Sequence, residues 1–157
     1  MAIADMFLKL AGVTGDARDE QHVGEIELLG WSWGLDAPTT LTGGPPSGRS
    51  TLSELTVTKR VDQSTPTLMT LLRNHKVTPT ATLTVRKAGT KPLAYFKLDL
   101  TNVRVTAVQT DTQGPELVDR VRLGFTKIKV TYTPQQSGTG AKGGGDIVFE
   151  ADAHLEK

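Results

Sequence analysis

The amino-acid sequence predicts a mainly β protein, either a small barrel or a sandwich of two sheets, with one short α-helix and a long loop. Three observations lead to this prediction. Apolar and polar residues alternate with a period of two over most of the chain, one segment has helical spacing, and a Gly/Pro-rich stretch separates two strands. With 157 residues and 37% hydrophobic content, the chain suits a single domain that buries a core without disulfides.

The first predicted strand begins close to the N-terminus. Met6, Leu8 and Leu10 share one of its faces, since successive side chains point to opposite sides of a strand. Asp5 and Lys9 interrupt the apolar run, whereas a secretory signal peptide needs a basic start and a continuous apolar stretch. We therefore expect a protein made in the cytoplasm that, if exported, leaves without a cleaved signal peptide.

The second strand, at 25–33, contains a predicted β-bulge. A doubled leucine followed by Gly30 breaks the alternation, and a glycine inside a strand often marks such a bulge. Once the phase is reset, Trp31 and Trp33 face the core and Ser32 points to the opposite side. Because aromatic residues make up only 5% of the chain, we expect both indoles to be core anchors, with an exposed carbohydrate-stacking platform as the alternative.

A long loop, at 36–49, follows the second strand. Its centre consists of Gly43-Gly44-Pro45-Pro46-Ser47-Gly48, in which proline removes backbone donors and glycine adds conformational freedom. The loop is longer than the 2–5 residues of a common hairpin connection, and long loops tend to be functional or disordered.

One short helix is predicted in the middle of the chain. Thr65 is a suitable N-cap and Pro66 suits the first helical position. Leucines recur at helical spacing from Leu68, and Asn74, or Pro79 a little later, ends the helix. About three turns are too few for a stable isolated helix, so this one must pack on a sheet.

The remaining segments alternate as strands. Their predicted apolar faces are Leu55, Val57, Lys59 and Val61; Ala81, Leu83 and Val85; Phe96, Leu98 and Leu100; Val103, Val105 and Ala107; Val121, Leu123 and Phe125; and Ile128, Val130 and Tyr132. A polar turn at 109–116 and a bulge near Thr126 are expected between them. A flexible Gly/Ser-rich connector at about 134–145 precedes a last strand at about 146–153.

No residue pattern nominates a catalytic, cofactor or metal site. The three histidines, His22, His75 and His154, lack ligand spacing, and the chain has no cysteine. An acidic cluster lacks the calcium-loop layout and is expected to be a solvated loop; its members are Asp16, Asp19 and Glu20. We expect that the protein is not an enzyme. A β-barrel enzyme is the alternative, because two catalytic carboxylates can lie far apart in the sequence and come together only in the fold. The net charge of +1 argues against nucleic-acid binding, and no apolar stretch approaches the roughly 18 residues of a membrane span.

Several segments together resemble the hemolysin-coregulated protein (Hcp) family, the tube proteins of bacterial type VI secretion. They are 6–10, 25–26, 31–34, 58–62, 64–69, 81–89 and 127–134, of which W-S-W-G and T-V-R-K-A-G are the most specific. The resemblance covers the chain from Met6 to Pro134. The part after Pro134 is less typical of the family.

This resemblance implies a small β-barrel of two packed sheets with one short helix and a long extended loop, as a single domain over 1–157. It also implies a homo-hexameric ring without a cofactor. Such rings stack into a tube inside a contractile sheath and beneath a spike protein, and the lumen can hold small effectors. The protein would be cytoplasmic before firing and then secreted. The alternatives are the tail tube of a phage-like contractile particle and a secreted carbohydrate-binding β-sandwich.

The resemblance also implies roles for particular residues. The loop that contacts the next ring would comprise Asp36, Thr40, Gly43, Gly44, Pro45, Pro46, Gly48 and Arg49. Ser32 would point into the lumen and contact effectors, if its strand forms part of the inner wall of the ring.

Overall fold

The computed structural model describes residues 4–37, 50–87, 93–134 and 144–153, which contain ten strands and one helix. In chain order they are β1 Ala4–Leu10, β2 Ile26–Ser32, β3 Leu35–Asp36, β4 Thr51–Leu52, β5 Leu55–Arg60, α1 Ser64–Arg73, β6 Val77–Lys87, β7 Ala94–Gln113, β8 Glu116–Gly124, β9 Lys127–Tyr132 and β10 Ile147–Asp152.

Six antiparallel strands close into a barrel in the order β7-β6-β1-β2-β5-β8, because β8 pairs with both β5 and β7. β9 pairs with the first half of β7, and β10 pairs with β9, so these two strands form a wing that extends the sheet beyond the barrel. The predicted mainly β barrel with one short helix is confirmed. Its two layers are parts of one continuous sheet, and β3 and β4 form a separate small ladder.

The 20-residue strand β7 changes partners along its length. β9 pairs with it up to Thr101, and β8 pairs with it from Arg104 onward. We call this point the fork. Asn102 lies there with a φ of 52°, a left-handed conformation that disturbs the alternation, so that both Leu100 and Val103 are buried. The bulge expected near Thr126 is instead a break between β8 and β9, which lie on the two sides of the fork.

The alternation expected in β2 is confirmed. The register against β5 shifts between Leu28 and Gly30, as a bulge requires, and Leu28 is buried. The polar turn expected at 109–116 is wrong in extent, because the β7–β8 ladder continues until Gln113 faces Glu116 across a two-residue turn. Both strands are exposed at the tip of this hairpin, so their residues are polar and have the composition typical of a loop.

The helix begins two residues earlier than expected, at Ser64, and its N-cap is Gln63. Thr65 is not the N-cap. The Oδ1 of Asp62 accepts a hydrogen bond of 2.9 Å from the backbone N–H of Ser64, while the Thr65 side chain is buried. The predicted end at Asn74 is confirmed.

His75 follows the helix in a left-handed conformation with a φ of 51°. The backbone N–H of His75 donates to the carbonyl of Leu72, and the backbone N–H of Lys76 donates to the carbonyl of Leu71. This is a Schellman-type helix end, in which glycine is preferred at the position of His75.

We expect His75→Gly to raise the free energy of unfolding by about 1 kcal/mol, because left-handed strain of roughly 1–2 kcal/mol outweighs the backbone entropy of glycine. Urea unfolding measures the change. Asn74→Gly is the matched control at negative φ, and stabilisation there too would contradict this explanation.

Candidate assembly surfaces

The long loop leaves the barrel as two adjacent strands. Leu35 and Asp36 of β3 pair with Leu52 and Thr51 of β4, so Asp36 lies in a strand rather than in the loop where it was expected. The other seven predicted stacking residues, Thr40, Gly43, Gly44, Pro45, Pro46, Gly48 and Arg49, lie outside the described residues. Leu35 is half exposed at the base of this loop.

Trp31 and Trp33 both pack against the core from its rim and are partly buried. Trp31 stacks on Phe96 of β7 with ring centroids 5.7 Å apart. Trp33 donates its indole N–H to the carbonyl of Ser53 at 2.9 Å and so fixes the base of the long loop. These contacts fit the anchor role, which stays a prediction until either indole is truncated.

Ser32 is exposed on the outer face of the barrel wall. Its partner across the sheet is Thr56, whose own partner on the next strand is Arg122. The cross-strand row that contains Ser32 is therefore polar, with the hydroxyl of Thr56 and the guanidinium of Arg122 beside it. Whether this face lines a lumen depends on the arrangement of subunits, so the lumenal role stays a prediction.

The wing formed by β9 and β10 carries an apolar surface that sequence reasoning missed. Ile147, Val148 and Phe149 are 64%, 48% and 44% exposed, and Tyr132, which faces Ile147 across the ladder, is 44% exposed. Within the part of the chain that the structure describes, β10 pairs on one side only. The signal was present in the sequence, because three consecutive apolar residues in a strand place apolar side chains on both of its faces.

A buried ionic cluster ties the helix to the barrel. Lys59 is fully buried, and its Nζ lies 2.8 Å from Asp119, 3.0 Å from Asp62 and 3.0 Å from the hydroxyl of Thr65. Burial alone would raise the pKa of Asp119, but hydrogen bonds from Lys59, Thr65 and Thr110 outweigh it and hold this pKa below its ordinary value. Lys59 was the one charged member of a predicted apolar face, and that exception was the signal.

A second cluster fastens the segment 11–25 to the outside of the barrel. Arg86 is 5% exposed and donates from Nη1 to Asp19 at 2.9 Å, with a second bond from Nη2, and it also bonds Asp5. Hydrogen bonding to Arg86 lowers the pKa of Asp19 below its usual value. The guanidinium lies 5.1 Å from the ring centroid of Phe7, on which His22 stacks. Asp19 is therefore an anchor, not part of a solvated acidic loop as expected.

Among the described residues, no group of three or more His, Asp or Glu side chains is arranged to hold a metal ion. A search of the same residues finds no helix long and apolar enough to cross a membrane. The surfaces that stand out are the base of the long loop, the wing and the fork.

Comparison with known proteins identifies the family. Residues 7–132 match the family described as "Type VI secretion system effector, Hcp". The chain is 38% identical over 150 residues to Protein hcp1 of Pseudomonas aeruginosa, a match that covers 92% of each chain. Among solved structures, it is similar to Hcp1 of Salmonella typhimurium, with 28% identity and a TM-score of 0.79 over 99% of this chain and 98% of the other. It is also similar to a type VI secretion system effector of Yersinia pestis, with 26% identity and a TM-score of 0.77 over 94% and 99%. The chain belongs to the Hcp family of type VI secretion proteins.

Proposed function

We propose that this protein is a structural subunit of a type VI secretion tube, in which six copies form a ring and rings stack within a contractile sheath beneath a spike. The observation that carries the proposal is the wing. The barrel closes on itself, yet β10 leaves an exposed apolar surface on a strand that pairs with described residues on one side only. Exposed edges of this kind pair with other chains unless they are covered.

A ring is the arrangement that uses such an edge without uncontrolled growth. Head-to-tail contacts between identical subunits either close by rotation or continue as a filament. Covering Ile147, Val148 and Phe149 in a closed ring removes their exposed apolar area from water, which is favourable by roughly 25 cal/mol per Å². The subunit therefore acts by assembly and needs neither a catalytic group nor a cofactor.

The test is electron microscopy of the purified protein together with a substitution in the edge strand. Val148→Lys places a charge on the exposed face of β10, where lysine is a common means of preventing edge pairing. We expect annular particles from the original protein and none from the variant, with unchanged circular dichroism. Absence of annular particles from the original protein at every salt concentration would overturn the proposal.

The lumen of such a ring would carry small effectors, with Ser32 on its wall. Ser32→Arg should leave ring formation and thermal stability nearly unchanged, because an exposed substitution usually costs within ±0.5 kcal/mol. Six added charges in one belt should nevertheless reduce retention of a small effector that copurifies with the original rings. Ser32→Ala is the control and should retain it. Undiminished retention by the arginine variant, or collapse of its rings, would refute the lumenal position.

The long loop would connect successive rings. We expect deletion of residues 43–48 to leave rings intact and to weaken tubes, because the loop would reach the neighbouring ring rather than the neighbouring subunit. Negative-stain images and sedimentation separate the two assemblies. A same-length Gly/Ser replacement shows whether length or the Gly-Pro sequence matters. Loss of rings on deletion would assign the loop to ring closure instead.

The expelled tube would leave the cell with the sheath's contraction and without a cleaved signal peptide. Membership of a family of type VI secretion proteins supports this localisation, cytoplasmic before firing and secreted afterwards. Detection of the full-length chain of 16.9 kDa in culture supernatant, dependent on an intact sheath, tests it.

A further inference from the structure

The fork in the sheet contains a surface cleft. Where β8 and β9 separate from β7, a space of about 280 Å³ opens between Val77, Phe125 and Arg104, with Asn102, Thr106 and Thr126 at its rim. This volume lies just below the roughly 300–1,000 Å³ of small-molecule pockets, so it suits one or two inserted side chains.

One of the two non-glycine residues with positive φ in the described chain lines this cleft, and the other precedes a lining residue in the sequence. Asn102 lines it, and His75 lies two residues before Val77, and these are the non-glycine residues with positive φ in the described ranges. Asn102 donates its side-chain amide to the hydroxyl of Thr126 at 3.2 Å, which links β7 to the connection between β8 and β9 at the fork. Strain of this kind persists where the surroundings fix it and is common at binding sites.

The cleft is apolar on one wall and positive on the other. Val77 is 43% exposed and Phe125 is half-buried against the core. Arg104 is exposed, and in the described part of the chain its side chain has no hydrogen bond or ion pair, whereas Thr106 is already bonded to Glu54 at 3.0 Å. The complementary ligand is an apolar side chain close to a carboxylate.

The strand β10 presents this combination on one face. Val148 and Glu150 are two residues apart, so they point to the same side about 7 Å from each other. Val148 is 48% exposed, and Glu150 is exposed and forms no ion pair with any described residue. Among the described residues, Glu150 is thus an acid without an ion pair beside an exposed valine, and Arg104 is a base without an ion pair beside an exposed valine.

We propose that β10 of one copy docks on the fork of the next copy, with Val148 against Val77 and Phe125 and Glu150 paired with Arg104. This inference rests on the proposed ring, and it names the two surfaces that meet. They are different surfaces of the subunit, so the contact is head-to-tail, as a closed ring requires. An aromatic wall in a pocket and a charge pair at its rim are typical of residues that dominate interface energies.

Charge reversal tests the contact, with sedimentation velocity over a dilution series as the measurement. Arg104→Glu and Glu150→Arg should each raise the concentration at which half of the protein is in rings at least tenfold. The double variant should return to within about threefold of the original value, because the pair is restored with opposite polarity. Arg18→Glu, the same reversal on an exposed arginine outside the cleft, should leave that concentration unchanged.

The outcomes separate this inference from the proposed function. If the original protein forms rings but Arg104→Glu is without effect, or the double variant is no better than the single variants, the fork and β10 do not meet and the inference is wrong while the ring stands. If the original protein forms no ring at any concentration, the proposed function fails and the inference fails with it. Equal loss of rings by Arg18→Glu would also overturn the inference, because the effect would then be one of net charge.

Discussion

Lys59→Met is expected to lower the free energy of unfolding by about 3–5 kcal/mol, since removal of one partner from a buried ion pair leaves an uncompensated charge. The Nζ of Lys59 lies 2.8 Å from Asp119, and both side chains are fully buried. Methionine keeps most of the volume of the lysine side chain, so the loss reports chiefly the missing charge and its hydrogen bonds rather than a cavity. Urea unfolding, at a protein concentration too low for rings to assemble, measures this change in the free energy of unfolding.

Arg60→Met is the matched control for this prediction. Arg60 is the next residue on β5, but its side chain is 54% exposed, and its ion pairs with Glu27 and Glu116 are long, at 3.7 and 3.4 Å. Exposed pairs contribute roughly 0–1 kcal/mol, so this variant should unfold almost like the original. Comparable losses in the two variants would show that the buried cluster has no special role.

Arg86→Met is expected to lower the free energy of unfolding by about 2–3 kcal/mol, because hydrogen bonds to charged groups are each worth roughly 1.5–3 kcal/mol and its partners are partly exposed. The guanidinium bonds Asp5 from β1 and Asp19 from the segment 11–25. Its loss should therefore free that segment first. Hydrogen exchange should accelerate at Gly15, Ala17 and Gly24, whose N–H groups bond within the segment or to its end.

Lys87→Met provides the comparison for Arg86. It removes the neighbouring cation on β6, which is exposed and lies 5.8 Å from the ring of Tyr95. Hydrogen exchange in the segment 11–25 should stay as in the original protein. If both variants accelerate exchange there, or if Arg86→Met accelerates it uniformly over the barrel, Arg86 does not act as the anchor of this segment.

Local sequence patterns predicted the elements whose two faces differ. The bulge at Gly30, the end of the helix at Asn74 and the buried face of β6 follow from alternation, glycine placement and capping rules. The hairpin tip of β7 and β8 was predicted as a loop, because both of its faces are exposed and its residues are accordingly polar. Alternation of apolar and polar residues reflects burial of one face, so a strand that is exposed on both faces shows no such alternation.

The candidate surfaces depend on contacts between residues far apart in the chain. Arg86 and Asp19 are 67 positions apart, and Lys59 and Asp119 are 60 apart, so no local pattern links them. The fork exists because β7 pairs with β9 in its first half and with β8 in its second half. This change of partner results from closure of the barrel and cannot be predicted from the sequence of any single strand. The family resemblance supplied the expected ring, while the exposed wing became visible only when β10 was placed at the end of the sheet.

The mass of the purified protein in solution tests the central claim most directly. Sedimentation velocity or native mass spectrometry over a range of concentrations distinguishes a monomer of 16.9 kDa from a ring of six copies, about 101 kDa. Assembly through β10 predicts the ring-sized species at micromolar concentration and its loss in Val148→Lys. A protein that stays at 16.9 kDa even at the highest concentration would contradict the proposed assembly.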